Sequence, residues 1–253
     1  MKLTPHGRIA ACNIAQSVAH VLGIRHDFAG QTVLVTAGPT HEDVDPVRYF
    51  TNRSSGRMGY ALADAAARRG ARVVLVSGPT ALDVPAGIER VSVRSTEEMH
   101  RAVLARLAEA TIVIMAAAVA DYRPVTPYPT KIKRESARLT VELEATPDIL
   151  ADVSRAKGER ILVGFAAETD HVAEHARQKL AAKSADLIVA NDVTAEGAGF
   201  DHETNIVTLF TRHGDEISLP QMSKLDVAQR VLDQILELRH TSGRVAGSPS
   251  VVR

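Results

Sequence analysis

Residues 36–63 read TAGPTHEDVDPVRYFTNRSSGRMGYALA, and this passage from a strand end through a polar loop into a helix start decides the fold. Just before it, Val33, Leu34 and Val35 form a short continuous apolar run, the pattern of a strand buried on both faces of a parallel sheet. The loop that follows must therefore open at the edge of that sheet. Ser54, Ser55 and Gly56 precede a helical pattern of Met58, Ala61, Leu62 and Ala65. Hydroxyl caps and backbone N–H groups at the positive end of a helix dipole are expected there, a setting that attracts phosphate. Arg48, Arg53 and Arg57 add charge, and a guanidinium can grip a phosphate or carboxylate through two parallel hydrogen bonds. Spacing alone leaves two readings open: an anion site, or an ordinary capped helix with solvated arginines.

Working outward, apolar runs alternate with helix-period segments. Strands are expected at 32–36, 72–77 and 111–117, with a helix ending at Arg69 and another at 96–110. A helix at 148–155, a strand at 161–165, a helix at 172–182 and a strand at 186–190 continue the series. Repeated β-α-β units with right-handed crossovers make an α/β three-layer, Rossmann-like sandwich with a mainly parallel sheet. Between the two series, residues 123–145 carry three prolines and the basic run Lys131-Ile132-Lys133-Arg134, then alternate over 138–143. They read as a flap followed by a strand. Residues 205–219, with His213-Gly214-Asp215 at their centre, read as a C-terminal β-hairpin. Ser223 is expected to cap a last helix ending near Leu238. The domain expectation is an N-terminal extension over 1–29, one body over 30–239 and a disordered tail over 240–253.

The composition narrows the function classes. The chain has 253 residues, 45% apolar and 24% charged, enough to bury a sizeable core. Lys plus Arg and Asp plus Glu both number 30, so no global field recruits nucleic acid or an acidic membrane, and any anion site is local. The single cysteine, Cys12, excludes an internal disulfide framework and fits a reducing cytoplasm. The apolar run at 112–120 is too short to span a bilayer, and Arg8 interrupts the N-terminus where a signal peptide needs its apolar core. His171 and His175 share a helix face without an evident third metal ligand and read as exposed polar residues.

Two nucleotide-binding classes lack their motifs. No G-x-G-x-x-G follows the first strand, whose loop is Ala37-Gly38-Pro39-Thr40, and no acid ends the second, which runs into Ser77-Gly78-Pro79. No P-loop motif occurs. The topology still places a ligand at the carboxyl ends of the strands. The polar groups there include Thr40, Asp121, Thr169, Asn191 and Asp192.

The motifs TAGPT with DPVRYFTNRSSGRMG, AAAVADYRP at 116–124, KIKR at 131–134, PDIL at 147–150, GFAAET at 164–169 and DLIVAND at 186–192 stand in one order. On these motifs the chain, from about Gly30 to Leu238, closely resembles the bacterial CTP-dependent phosphopantothenate-cysteine ligase family of coenzyme A biosynthesis. The resemblance implies activation of the 4'-phosphopantothenate carboxylate by CTP to an acyl-cytidylate with release of pyrophosphate. L-cysteine then displaces CMP to form the amide. It further implies that Arg48, Asn52, Ser54, Ser55 and Gly56 hold the substrate phosphate and reacting acyl group. Asn52 can donate to an oxyanion where an aspartate would repel it. Lys131 is implied to neutralise the α-phosphate at the transition state. Asp121 is implied to support Mg²⁺, a hard cation suited to carboxylate and phosphate oxygens. Met115, Ala116, Ala117, Pro147, Asp148, Ile149, Leu150 and Phe165 match nucleotide-binding positions. Lys179 and Lys183, four apart on one helix face, match a pair that reaches one polyphosphate.

The family is often fused behind a flavin-dependent decarboxylase and is typically dimeric, with the flap completing a site near the interface. No flavin is expected in this chain, a homodimer is, and a separate decarboxylase would complete the pathway step. Two alternatives accompany this reading: the same ligase using ATP, and a non-catalytic nucleotide-binding subunit that regulates a decarboxylase.

Overall fold

The computed structural model describes residues 25–134, 138–168, 171–192 and 202–245. Its centre is an eight-stranded sheet built from β1 (Thr32–Ala37), β4 (Arg72–Ser77), β5 (Glu89–Ser92), β6 (Ile112–Met115), β9 (Ile161–Glu168), β10 (Leu187–Asp192), β11 (Thr204–Thr211) and β12 (Glu216–Ser223). The spatial order is β12-β11-β10-β9-β6-β1-β4-β5. Pairing is parallel from β10 through β5, and antiparallel between β10 and β11 and within the β11–β12 hairpin. Two small ribbons stand beside the sheet: β2 (His41–Asp43) with β3 (Tyr49–Thr51), and β7 (Tyr122–Pro124) with β8 (Leu143–Ala145).

The apolar runs explain the layers. Successive residues of a strand face opposite sides, so Val33 and Val35 of β1 enter one core and Leu34 enters the other. On the first face pack α1 (Arg57–Arg68), through Leu62, Ala65 and Ala66, and α5 (Lys224–Val245), through Val227, Val231 and Ile235. On the second pack α2 (Thr96–Arg106), α3 (Ile149–Ala156) and α4 (Val172–Ala182), through Met99, Val103, Val153 and Ala176. The expected three-layer α/β sandwich and C-terminal hairpin are present. Ser223 caps α5 as expected, its hydroxyl accepting from the Asp226 amide at 3.1 Å.

Buried ion pairs tie the layers at their rims. Arg69, at the end of α1, is 3% exposed and grips both oxygens of Asp27 at 2.8 and 2.7 Å and Asp233 of α5 at 2.8 Å. Asp186, 2% exposed, receives Lys157 at 2.8 Å, Arg212 at 2.5 Å and the Leu162 amide at 2.8 Å, joining α3, β9 and the hairpin to the start of β10.

Some boundaries differ from expectation. Of the strand expected over 138–143, only Leu143 falls within β8, because its partner β7 offers just three residues to pair with. The last helix runs past Leu238 to Val245, so the first residues of the expected tail are helical. The extension at 1–24 with Cys12, the strand-end Thr169 and the tail beyond 245 lie outside the described residues.

Candidate functional site

In an open α/β sheet, ligands settle at the carboxyl ends of the strands where the order reverses. Here that point lies between β1 and β6, and a cleft of about 960 Å³ opens there, with Thr36 and Met115 at the two strand ends in its wall. Asn52, Ser54, Ser55, Gly56, Ala116, Ala117, Asp121, Pro147, Asp148, Ile149, Leu150, Phe165, Lys179 and Lys183 join Met115 in lining it. Segments more than a hundred residues apart in sequence thus meet on one surface.

The helix start differs in detail from expectation. The N-cap of α1 is Gly56 at φ 77°, not a serine, so the cap residue itself brings no side-chain bond to the helix. Ser54 Oγ instead accepts from the Gly56 amide at 3.2 Å. Only glycine suits this turn, since φ is left-handed and an added Cβ would stand 2.7 Å from Thr80 Cγ2. Arg57, Met58 and Gly59 of the first turn of α1 line the cleft, the setting in which a helix start can bind an anion. Arg57 lines the cleft and pairs with Glu203.

Asn52 Nδ2 donates to Val119 O at 2.7 Å, which fixes which face of the carboxamide looks into the cleft. Lys179 donates to Phe165 O at 3.0 Å, and Lys183 pairs with Asp148, so Lys179 of α4 and Lys183 at its C-cap reach the same wall. Asp148 also caps α3, accepting from the Ala151 amide at 2.9 Å. Burial pushes its carboxyl pKa up, but Lys183, the Ala151 amide and Lys179 together bring it below the ordinary aspartate value.

Two expected site residues do not line the cleft. Arg48 is turned toward Asp45 Oδ2 at 2.5 Å and Ile132 O at 3.3 Å, and Lys131 is exposed on the flap. Asp45, which sequence reasoning missed, is what holds them together. Its buried carboxylate accepts from the amides of Val47, Arg48 and Ile132 at 2.7, 2.8 and 3.1 Å. Burial acts to raise its pKa, and these amides with the Arg48 charge outweigh that and lower it. The basic flap is thereby pinned to the β2–β3 ribbon.

Sequence reasoning also left out what the hairpin and the start of α5 contribute. Asn205, 4% exposed, and Lys224, 6% exposed, line the cleft beside α1, where Asn205 Nδ2 approaches Met58 Sδ at 3.7 Å. Among the described residues, the buried Oδ1 atoms of Asn205 and Asn191 have no hydrogen-bond partner. Asn191 also lines the cleft and stood among the expected strand-end polar groups. The turn-like composition around Asn205 offered no signal that the chain returns to α1. His171 and His175, with ring centroids 6.1 Å apart, lie outside the cleft lining. No cluster of three or more His, Cys, Asp or Glu poised for a metal occurs among the described residues.

Residues 28–238 match the family model described as the DNA/pantothenate metabolism flavoprotein C-terminal domain. The chain belongs to this family. As such a C-terminal domain, it is 53% identical over 215 residues to the coenzyme A biosynthesis bifunctional protein CoaBC of Bacillus subtilis (strain 168), covering 85% of this chain and 53% of that protein. It is 46% identical over 227 residues to the CoaBC of Escherichia coli (strain K12), covering 88% and 55%. The chain thus spans about half the length of these curated relatives. Its fold matches a crystal structure of the CoaBC C-terminal domain with a TM-score of 0.73 at 43% identity, covering 85% of this chain and 98% of that one. A flavoprotein of the same description from Streptococcus pneumoniae matches with a TM-score of 0.68 at 26% identity, covering 83% and 99%. No helix among the described residues is long and apolar enough to cross a membrane.

Proposed function

We propose that this domain is a phosphopantothenate-cysteine ligase of coenzyme A biosynthesis, which uses CTP to activate 4'-phosphopantothenate as an acyl-cytidylate and then couples it to L-cysteine. The observation that carries the reading is the convergence, on one cleft at the strand-order reversal, of Asn52, the glycine-capped start of α1, Asp121 and the Lys179–Lys183 pair. A polyphosphate needs such positive ends and cations, and acyl transfer needs a donor where charge develops. Asn52 can be that donor, because its Val119 contact uses one N–H and leaves the other for an oxyanion.

Asp121 would hold Mg²⁺ jointly with the nucleotide phosphates. The donor set fits this mode, because Mg²⁺ commonly takes one or two carboxylates plus substrate phosphates rather than an all-protein cage. The ion would neutralise phosphate charge as pyrophosphate departs. Lys131 acts from the flap and Arg48 from the turn of the β2–β3 ribbon, the two segments being joined through Asp45 and Ile132. Val47, Tyr49 and Phe50 of the β2–β3 ribbon and Tyr122, Val125 and Tyr128 of the flap are exposed, and the Tyr128 amide bonds Val44 O at 2.8 Å to join the two. A second copy of the chain covers this apolar face, and the flap completes the site near that interface.

The test is pyrophosphate release from CTP with Mg²⁺ and 4'-phosphopantothenate. A burst that becomes steady turnover on adding cysteine supports the ligase. Equal turnover with ATP would replace the nucleotide assignment, and tight nucleotide binding with no pyrophosphate from either nucleotide would point to a regulatory subunit instead.

A further inference from the structure

Behind the cleft lies a polar network that the reaction does not use directly. Thr40, Thr96 and Glu42 are 0%, 0% and 4% exposed. The Ala120 amide donates to Thr40 Oγ1 at 2.9 Å, and the two threonine hydroxyls lie 2.9 Å apart. Thr96 Oγ1 lies 2.8 Å from Glu42 Oε1, which also accepts from the Thr96 amide at 2.8 Å.

A carboxylate only accepts, so the direction of the chain follows: Thr96 gives its hydroxyl proton to Glu42, and Thr40 gives its own to Thr96. Thr40 Oγ1 is then left to accept from Ala120. Bonds aligned in this way polarise one another in a dry interior. The same Thr40 accepts at its carbonyl from Thr51 Oγ1, at 2.8 Å, next to Asn52. Thr40 therefore binds two loops at once. One carries Asn52, and the other carries Val119, whose carbonyl orients Asn52, and Asp121.

We infer that Thr40, backed by Thr96 and the buried Glu42, is a positioning residue that sets the Val119–Asp121 turn and through it the orientation of the Asn52 carboxamide. The inference rests on the ligase reading for its kinetic consequence, not for its geometry. Thr40→Val keeps the shape but leaves the Ala120 amide without its acceptor and removes the donor to the Thr96 oxygen, while Thr96 keeps its bond to Glu42. A displacement on the order of 1 Å at a reacting group lowers rate by roughly 10²-fold.

The experiment compares wild type, Thr40→Val and Thr40→Ser at a temperature where circular dichroism shows all three folded. It reads kcat for CTP-driven pyrophosphate release and the NMR signal of the Asn52 side-chain amide, assigned through Asn52→Ala. The expected result is a kcat loss of about 10- to 100-fold in Thr40→Val together with a shifted Asn52 amide signal, and recovery of both in Thr40→Ser. A folded Thr40→Val with wild-type kcat and an unmoved Asn52 signal overturns the inference, as does a Thr40→Ser variant as impaired as the valine. The amide signal decides the geometry even where a silent wild-type enzyme would sink the ligase reading. Should Thr40→Val fail to fold, Thr96→Val removes the next link and is read in the same way.

Discussion

Gly59 is where the start of α1 is pressed onto the end of β1, so Gly59→Ala perturbs fold and site together. A Cβ at this position would stand 2.5 Å from Ala37 Cβ and 2.9 Å from Thr36 O. Carbon atoms pack best at roughly 3.5–4.0 Å, so the first turn of α1 must retreat by about 1 Å. Overpacking of this kind costs about 1–3 kcal/mol, which for a chain of this size lowers Tm by about 2–12 °C. The same retreat carries the first-turn N–H groups away from the cleft, and a misplacement of about 1 Å is worth roughly 10²-fold in rate. Thermal unfolding and CTP-driven pyrophosphate release on the same preparation measure the two effects. A Gly59→Ala protein with wild-type Tm and unchanged turnover would refute both the close approach and the role given to the helix start.

Lys131→Gln is expected to leave Tm unchanged, because the side chain is exposed on the flap, and to lower the activation rate by about 10²-fold or more as a transition-state charge contact is lost. An undiminished pyrophosphate burst would remove Lys131 from the chemistry. Asn52→Asp replaces a donor with an acid facing phosphate and acyl oxygens, so turnover should fall sharply while circular dichroism stays native, and wild-type turnover would take Asn52 out of the site. For Asp27, the hydrogen bonds from Arg69 hold the carboxyl below the ordinary aspartate value of 3.8, against a smaller opposing effect of burial. A depressed folded pKa stabilises fully above that value, and the contribution is lost as pH falls through the folded one. Urea unfolding across the acid range should therefore show Asp27→Asn less stable at neutral pH and shallower in its loss below pH 3.8, and parallel curves for the two proteins would contradict this.

Much of the architecture was legible because it is driven by burial. The runs at Val33–Val35 and Ile112–Ile114 are apolar on both faces, and α4 begins and ends where its periodicity does. Elements stabilised by neighbours were harder to read. The edge strand β5 has the sequence ERVS, with little apolar signal, and exists because β4 offers it a parallel partner. The alternation over 138–143 looked like a strand, yet β7 is too short to extend the pairing. The site followed the same rule. Its cleft residues lie in compact motifs at strand ends, whereas the contribution of Asn205 depends on a hairpin folding back onto α1. Arg48 was placed in the site by motif, but the buried Asp45 beside it directs the guanidinium to the flap.

The ligase reading stands or falls on pyrophosphate release with Mg²⁺ and 4'-phosphopantothenate, run with CTP and with ATP, each with and without cysteine. The expected result is a CTP-selective burst that turns into steady release only when cysteine is present. Silence with both nucleotides, from protein that is folded and binds nucleotide, would contradict it.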